Sequence, residues 1–177
     1  MVIYVGVEYK AGEQFCNAAK AEYDYELGRI STLDNKVSMT LAFCSVILLF
    51  LLNYLDLQSI WETSEQFSCS QCILRFLSTV SQICCLIFFG VAVVRLFRIL
   101  KPKVYCRLDP YYILNETLPE WEKEQAYMYL GVKYAEFTAF NTSVNEKRSK
   151  EYSISIKWLL LSILCCISNE AIKLNFF

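Results

Sequence analysis

The sequence contains no histidine. Ser-His-Asp and Cys-His catalysis are therefore closed to it, and the commonest neutral metal ligand is missing. It has only 5 Gly and 3 Pro in 177 residues, too few for a chain of short strands and tight turns. No excess of one charge is present either. Lys and Arg number 17 against 18 Asp and Glu, a net charge of −1, so no overall basic field exists to attract duplex nucleic acid. No P-loop, GxGxxG or HExxH pattern occurs. The chain is expected to be no enzyme and to need neither cofactor nor metal.

What fills the chain is apolar. Hydrophobic residues make up 55% of it, and low Gly and Pro with long apolar runs predicts helices. Nine cysteines would suggest disulfides in a small secreted domain. Here Cys44, Cys84, Cys85, Cys165 and Cys166 lie inside apolar runs, where cysteine behaves as a small hydrophobe. The opening MVIYVGVEYK is too short, and too poor in leading basic residues, to read as a signal peptide.

Residues 37–55 (VSMTLAFCSVILLFLLNYL) and 76–94 (FLSTVSQICCLIFFGVAVV) carry no charge. Each run is about 19 residues, which at 1.5 Å per residue covers the ~30 Å hydrocarbon core of a bilayer. A helix in a soluble core would keep a polar face. A third run, WLLLSILCCI, is shorter and meets Ser168-Asn169-Glu170 before AIKLNFF. It reads as a span over 156–174, with Glu170 near its distal end or facing the bundle interior.

The Lys/Arg bias sets an orientation. Residues 56–72 carry Asp56, Glu62 and Glu65 and no Lys or Arg. Lys36, Arg95, Arg98, Lys101, Lys103, Lys147, Arg148, Lys150 and Lys157 flank the opposite ends of the spans. The positive-inside rule places the N-terminus in the cytoplasm, across an inner (cytoplasmic) membrane. The expected order is a cytoplasmic helix over 13–36, a span over 37–55, an outside loop over 56–72 and a span over 76–94. A cytoplasmic turn and helix over 101–155 and the third span over 156–174 complete it. The fold class is an all-α membrane protein with two clear transmembrane helices and a shorter third, its bundle continued by a cytoplasmic layer of amphipathic helices.

Phe15, Ala19, Tyr23, Leu27, Ile30, Leu33 and Val37 recur at helical steps. They predict an amphipathic helix running unbroken into the first span, weakened only slightly by Gly28. The first twelve residues are ambiguous between strand and helix. Lys101-Pro102 should end the second membrane helix, and Leu108-Asp109-Pro110 reads as a turn. Thr117 with Glu120 fits a capping box, with Pro119 in the first turn. The long helix expected to follow has Leu130, Tyr134, Phe137 and Val144 on one face, joined by Asn141 and then Arg148. Neither cytoplasmic helix buries its stripe alone. Each should pack on the other, on 105–115, or on a second copy in a homo-oligomer.

Three constellations carry possible chemistry. Cys69-Ser-Gln-Cys72 is a CxxC; it suits disulfide transfer if its thiols are activated, and otherwise a passive disulfide or two free thiols. Ser78, Gln82, Cys85 and Phe89 share a face of the second span with Ser81 alongside, while Thr40, Ser45 and Asn53 lie in the first. Polar side chains in hydrocarbon mark a helix interface or a pore lining. Residues 105–140 are rich in aromatics with Arg107, Lys133, Lys147, Arg148 and Lys150 nearby. Rings and cations suit a nucleotide's base and phosphates, or equally a helical core with a basic collar above anionic lipid.

RISTLDNKVSMTLAF, the DPYYIL stretch, and FNTSVNEKRSKEYSISIKWLLL resemble the small bacterial membrane effectors of nucleotide-signalling antiphage systems. These are the Pycsar transmembrane effectors and the SLATT-type effectors, and the resemblance covers about residues 14–168. It implies a dormant oligomer in the lipid bilayer, opened by a cyclic nucleotide or oligonucleotide made by a nucleotide cyclase or nucleotidyltransferase. Arg107, Tyr111, Tyr112, Lys133, Tyr134, Asn141, Asn145, Lys147 and Arg148 would bind that ligand. The chain departs from the pattern in its interrupted third span and in lacking a recognisable nucleotide-binding fold, which leaves activation by a partner protein open.

Arg29 and Asp34 are five apart and so fall on different faces of their helix. Arg29, Asp34, Asn35 and Lys36 therefore read as a coupling joint reaching other helices. Arg148 or Lys150 and Asn141 or Asn145 are the expected partners of Asp34 and Asn35. The competing functions are a non-catalytic membrane scaffold docking a cytoplasmic partner, and a thiol-disulfide oxidoreductase using Cys69 and Cys72.

Overall fold

The computed structural model describes residues 11–54, 69–109, 111 and 121–174. Nearly all of them lie in three helices: α1 (Gly12–Tyr54), α2 (Cys69–Leu100) and α3 (Lys123–Leu174). No strand occurs among the described residues. The ambiguous first ten residues, residues 55–68 of the expected loop, Pro110, Tyr112 and the Thr117–Glu120 capping box lie outside the described residues.

Each helix follows from its sequence, with two corrections, at the starts of α2 and α3. α1 passes through Gly28 unbroken because no proline interrupts it, and the Ser31 and Thr32 hydroxyls both donate to the Gly28 carbonyl (2.9 and 3.0 Å). Cys69-Ser-Gln-Cys72 belongs to the first turn of α2, not to a loop; nothing in CSQCILRF breaks a helix. α3 starts at Lys123, later than the capping box suggests, with the Ala126 N–H donating to the Glu122 carbonyl (3.0 Å) and Glu124 in the first turn. The third span is not cut short. α3 runs through Ser168-Asn169-Glu170 because Asn169 is buried and accepts a 2.6 Å hydrogen bond from Ser78.

The chain divides into two compact units, with the division falling inside α1 after Leu33 and inside α3 after Arg148. In unit 1 the N-terminal parts of α1 and α3 run parallel and close. A Cβ on Gly131 would lie 2.5 Å from the Phe15 ring, so a larger residue there would have to push that ring aside. The Tyr23 and Tyr134 rings meet at 5.3 Å. Gly12, Cys16, Ala19, Tyr23, Glu26 and Leu33 are the buried positions of α1 here. The expected stripe matches at Ala19, Tyr23 and Leu33. Phe15 is exposed, and the burial expected at Leu27 and Ile30 falls on Glu26 instead; those two are half-buried.

Unit 2 holds the remaining parts of all three helices. Its interior includes Val37, Cys44, Leu51, Cys85, Phe89, Ala92, Leu96 and Leu159, together with Thr40, Gln82, Ser155, Ser162 and Asn169. Its exterior is strongly apolar: Phe43, Leu49, Phe50, Phe76, Ile87, Phe97, Leu160 and Leu164 are exposed. Only 17%, 28% and 22% of the apolar windows of the three helices are buried within the chain. A water-soluble bundle does not carry so large an apolar surface, whereas hydrocarbon accepts it. The three helices are long and apolar enough to cross a bilayer, which makes this an all-helical, multi-pass membrane protein.

Candidate functional site

Unit 1 contains a buried polar clasp. Glu26, Asn141, Asn145 and Arg148 have relative exposures of 5%, 0%, 2% and 5%. Such burial is rare for these residues without partners. Asn145 Nδ2 donates to the Glu26 carbonyl (3.0 Å) and to Glu26 Oε2 (2.9 Å). Arg29 donates to Glu26 Oε1 at 2.6 Å along the same helix. The Tyr105 hydroxyl donates to Asn145 Oδ1 (3.3 Å) and accepts from Arg148 (2.7 Å).

The clasp grips an irregular segment. Asn141 reads both sides of one residue, accepting the Cys106 N–H (3.0 Å) and donating to the Cys106 carbonyl (3.0 Å). Tyr23 donates to the same carbonyl (3.4 Å) and accepts the Leu108 N–H (3.3 Å). An amide side chain used this way stands in for the backbone ladder that residues 102–109 lack. Asp109 Oδ1 accepts the Tyr111 N–H (2.9 Å).

Burial pushes the Glu26 carboxyl up, but hydrogen bonds from Asn145 and Arg29, the Arg29 charge and a hydrogen bond with Thr142 outweigh it. The net shift is below the ordinary carboxylate value. Glu26 therefore stays ionised. Its hydrogen bond and charge hold Arg29 above the ordinary value despite burial.

Unit 2 has an uncharged polar seam. Ser78 pairs with Asn169, Ser81 donates to the Cys165 carbonyl (2.8 Å), and Ser162 donates to the Cys85 carbonyl (2.9 Å). Phe88 packs on Trp158 with the rings tilted and their centres 5.3 Å apart, and Arg95 pairs with Glu151 at 2.9 Å. These contacts fix α2 and α3 antiparallel. Thr40 joins α1 to the seam through Tyr152 (3.0 Å) and also donates to the Lys36 carbonyl (2.8 Å). Gln82, Cys85, Phe89, Ala92, Leu96 and Ile99 are buried at alternating steps of three and four, the spacing of a knobs-into-holes seam.

The expected site residues separate accordingly. Of the ligand candidates, Asn141, Asn145 and Arg148 come together, and Tyr134 packs on Tyr23 beside them. Arg107, Tyr111 and Lys147 are exposed, and Lys133 pairs with Glu136 at 2.9 Å; Tyr112 lies outside the described residues. Of the joint, Arg29 pairs with Glu26 three residues back, a partner that the five-residue spacing to Asp34 does not reveal, and it also feels the charge of Glu146 on α3. Asp34 is half-buried, and Asn35 and Lys36 are exposed. Asn141 and Asn145, two of the four residues expected as partners of Asp34 and Asn35, bond to Cys106, Glu26 and Tyr105.

In the spans, Thr40, Ser78 and Gln82 face inward as expected. Ser45 does not: it is exposed and bonds back to the Leu41 carbonyl (3.2 Å). The side chain of Asn53 lies outside the described residues. Cys72 is a free, exposed thiol on α2. Residue order alone misses Glu26, Tyr105, Tyr152 and Ser162 as site residues. Glu26 sits in the charged run AEYDYELGR, and only its step of three from Tyr23 places it on the stripe. Among the described residues, no group of three or more Cys, Asp or Glu is placed to hold a metal ion.

Comparison of the chain with family models, curated proteins and solved structures finds no match.

Proposed function

We propose that this protein is a membrane-embedded effector of bacterial antiphage defence. It is gated by a cyclic nucleotide or oligonucleotide, or by a partner protein, to oligomerise or open and disrupt membrane integrity. The observation that carries this reading is the clasp on residues 105–108. Asn141, Asn145 and Arg148, the groups suited to a nucleotide's base edge and phosphate, already hold that segment. A ligand that recruits them must release the segment. Binding and release then become one event, and a poised equilibrium needs only a few kcal/mol of differential affinity to shift.

Unit 1 is assigned to the cytoplasm of an inner-membrane protein with a cytoplasmic N-terminus, on the Lys/Arg bias. α1 and α3 continue from unit 1 residues into unit 2 residues, so a change at the clasp has a helical route to the spans. A nucleotide cyclase or nucleotidyltransferase would supply the ligand.

The test is co-expression with candidate cyclases while membrane potential is followed. Depolarisation that depends on the nucleotide, and on Arg148, supports the reading; a protein that binds no nucleotide and stays silent in liposomes sinks it. Asp34→Ala tests the joint. Normal insertion with lost activation supports coupling there, and unchanged activation counts against it. A docking scaffold is the second reading, favoured by the exposure of Val104 (80%) and Tyr111 (75%) beside the clasp. A stable partner with no conductance at any stage would establish it.

A further inference from the structure

Unit 2 carries its charge mostly at one end. Residues 34–40 of α1, 94–101 at the end of α2 and 149–157 of α3 hold six Lys and Arg and two carboxylates. Arg95 pairs with Glu151 at 2.9 Å, and Asp34 is half-buried. The other five cations, Lys36, Arg98, Lys101, Lys150 and Lys157, are exposed. Among the described residues none of the five has an ion pair or a side-chain hydrogen bond. At the opposite end, residues 69–80 and 165–174 hold Arg75 and Lys173 against Glu170.

Two contacts bring these cations to one level. Thr40 on α1 meets the Tyr152 hydroxyl of α3 (3.0 Å), and Arg95 on α2 meets Glu151. At 1.5 Å per residue, each of the five cations lies within about 9 Å of one of those contacts along the helix axis. Apolar side chains stand exposed among them. Met39 (66%) follows Lys36 by three residues, Phe97 (58%) precedes Arg98, and Ile154 lies between Lys150 and Lys157. The surface at this level is thus cationic and apolar at once. A Lys or Arg stem follows apolar surface while its head reaches for charge, so heads that start at slightly different depths can meet one plane of anions.

We propose that this end of unit 2 binds the phosphodiester headgroups of anionic phospholipids, with Lys36, Arg98, Lys101, Lys150 and Lys157 as their contacts. Clusters of about four to eight Lys and Arg at the end of a span attract such headgroups, and here each of the three helices contributes. Met39, Phe97 and Ile154 choose the source of the phosphate. A free phosphate or an acidic peptide would meet the cations and leave those three side chains in water, whereas the acyl chains of a lipid cover them in the same step. Membrane topology asks only that cations stay on one side of the bilayer. It does not ask that five of them stand unpaired at one level, interleaved with exposed apolar groups. The inference rests on the bilayer reading and not on nucleotide gating.

The experiment uses the full chain in phosphatidylcholine vesicles holding a trace of spin-labelled phosphatidylglycerol or spin-labelled phosphatidylcholine. The fraction of label immobilised by the protein gives the relative affinity, and circular dichroism checks folding. Phosphatidylglycerol is expected to be preferred about threefold, and high salt should reduce that preference because the cations are exposed. The double variants Arg98→Gln/Lys101→Gln and Lys150→Gln/Lys157→Gln should each lower it, and Gln at all five positions should remove it. Lys101→Arg with Lys150→Arg and Lys157→Arg, which keeps the charge, should retain it. Lys20→Gln, an exposed lysine of unit 1, should leave it at the wild-type value. A wild type that immobilises both lipids equally overturns the inference, and this holds whether or not the variants fold. So does a folded five-site variant with the full preference, or an equal loss from Lys20→Gln. Glycerol phosphate, the headgroup without its tails, should not compete at millimolar concentration; if it abolishes the preference, the site takes a free phosphate and the inference fails. No nucleotide enters these measurements, so the effector reading stands or falls separately.

Discussion

Units 1 and 2 both bury polar side chains between helices, and they do so in opposite surroundings. Unit 1 buries charge: Glu26 and Arg148 lie inside, fixed by Asn145, Arg29 and Tyr105. Unit 2 buries hydroxyls and amides beside apolar side chains such as Phe89 and Leu96; its Arg95–Glu151 pair is part-exposed, and many of its other Phe and Leu side chains face outward. The difference fits the proposed topology, with unit 1 in water and unit 2 in the bilayer. In water, burying apolar surface drives association, so unit 1 must supply partners for each polar group it buries. In hydrocarbon that drive is absent between helices; packing and interhelical hydrogen bonds hold them, and apolar side chains have no reason to turn in. Buried charge in unit 1 is therefore specific and costly to break, and the seam of unit 2 is weak bond by bond.

That contrast can be broken at its strong side first. Glu26→Ala leaves the Asn145 amide and Arg29 without their carboxylate and should cost about 3 kcal/mol. Arg29 contributes the smaller part because it is a third exposed. Denaturation in detergent micelles measures the loss, and a change below that of any seam serine would erase the distinction between units.

Asn141→Ala strips the partner from the Cys106 N–H and leaves its carbonyl only the longer bond from Tyr23, and should cost about 2 kcal/mol. Its signature is local: faster amide exchange at Cys106 and Leu108, with α2 unchanged. Uniform acceleration across α2 would mean that the clasp is not a separate element.

Acid is a partial version of the first change. Glu26 holds its proton less tightly in the folded chain than in the unfolded one. Its contribution is complete above the ordinary carboxylate range of about 4 and is lost as pH falls through the lower folded value. Amide exchange over 105–108 should therefore be flat from neutral pH downward and rise only at strongly acid pH, after correction for intrinsic rates. Glu26→Gln should remove that step, and a step that persists in the variant belongs to another group.

The smallest effect is expected in the membrane seam. Ser162→Ala removes one interhelical bond to Cys85 and should cost about 0.6 kcal/mol. A loss as large as that of Asn141→Ala would show that the seam is as tightly specified as the clasp.

Much of this architecture is legible from residue order. Two charge-free runs and a shorter third predict the spans, because an uncharged apolar helix of bilayer length offers no face to water. The stripe Ala19, Tyr23 and Leu33 predicts the α1 contact, since helical periodicity reports a buried face directly. Partner choice is not legible in the same way. Arg29 has Glu26 and Asp34 nearby in sequence, and only the packing of Asn145 on Glu26 shows which carboxylate is buried. Ser168-Asn169-Glu170 looks like an interruption until Ser78 is seen to meet Asn169.

By itself, then, the sequence determined that the chain is helical, that it is built for a bilayer, and that histidine chemistry is closed to it. These follow from composition and local periodicity, which act within one or a few turns. The tertiary structure decided that Asn141, Asn145 and Arg148 clasp the chain's own segment 105–108 and that Ser78, Ser81 and Ser162 join α2 to α3. Those are pairings between residues 35 to 119 positions apart, and no local pattern in a single sequence specifies which distant groups will share a buried site.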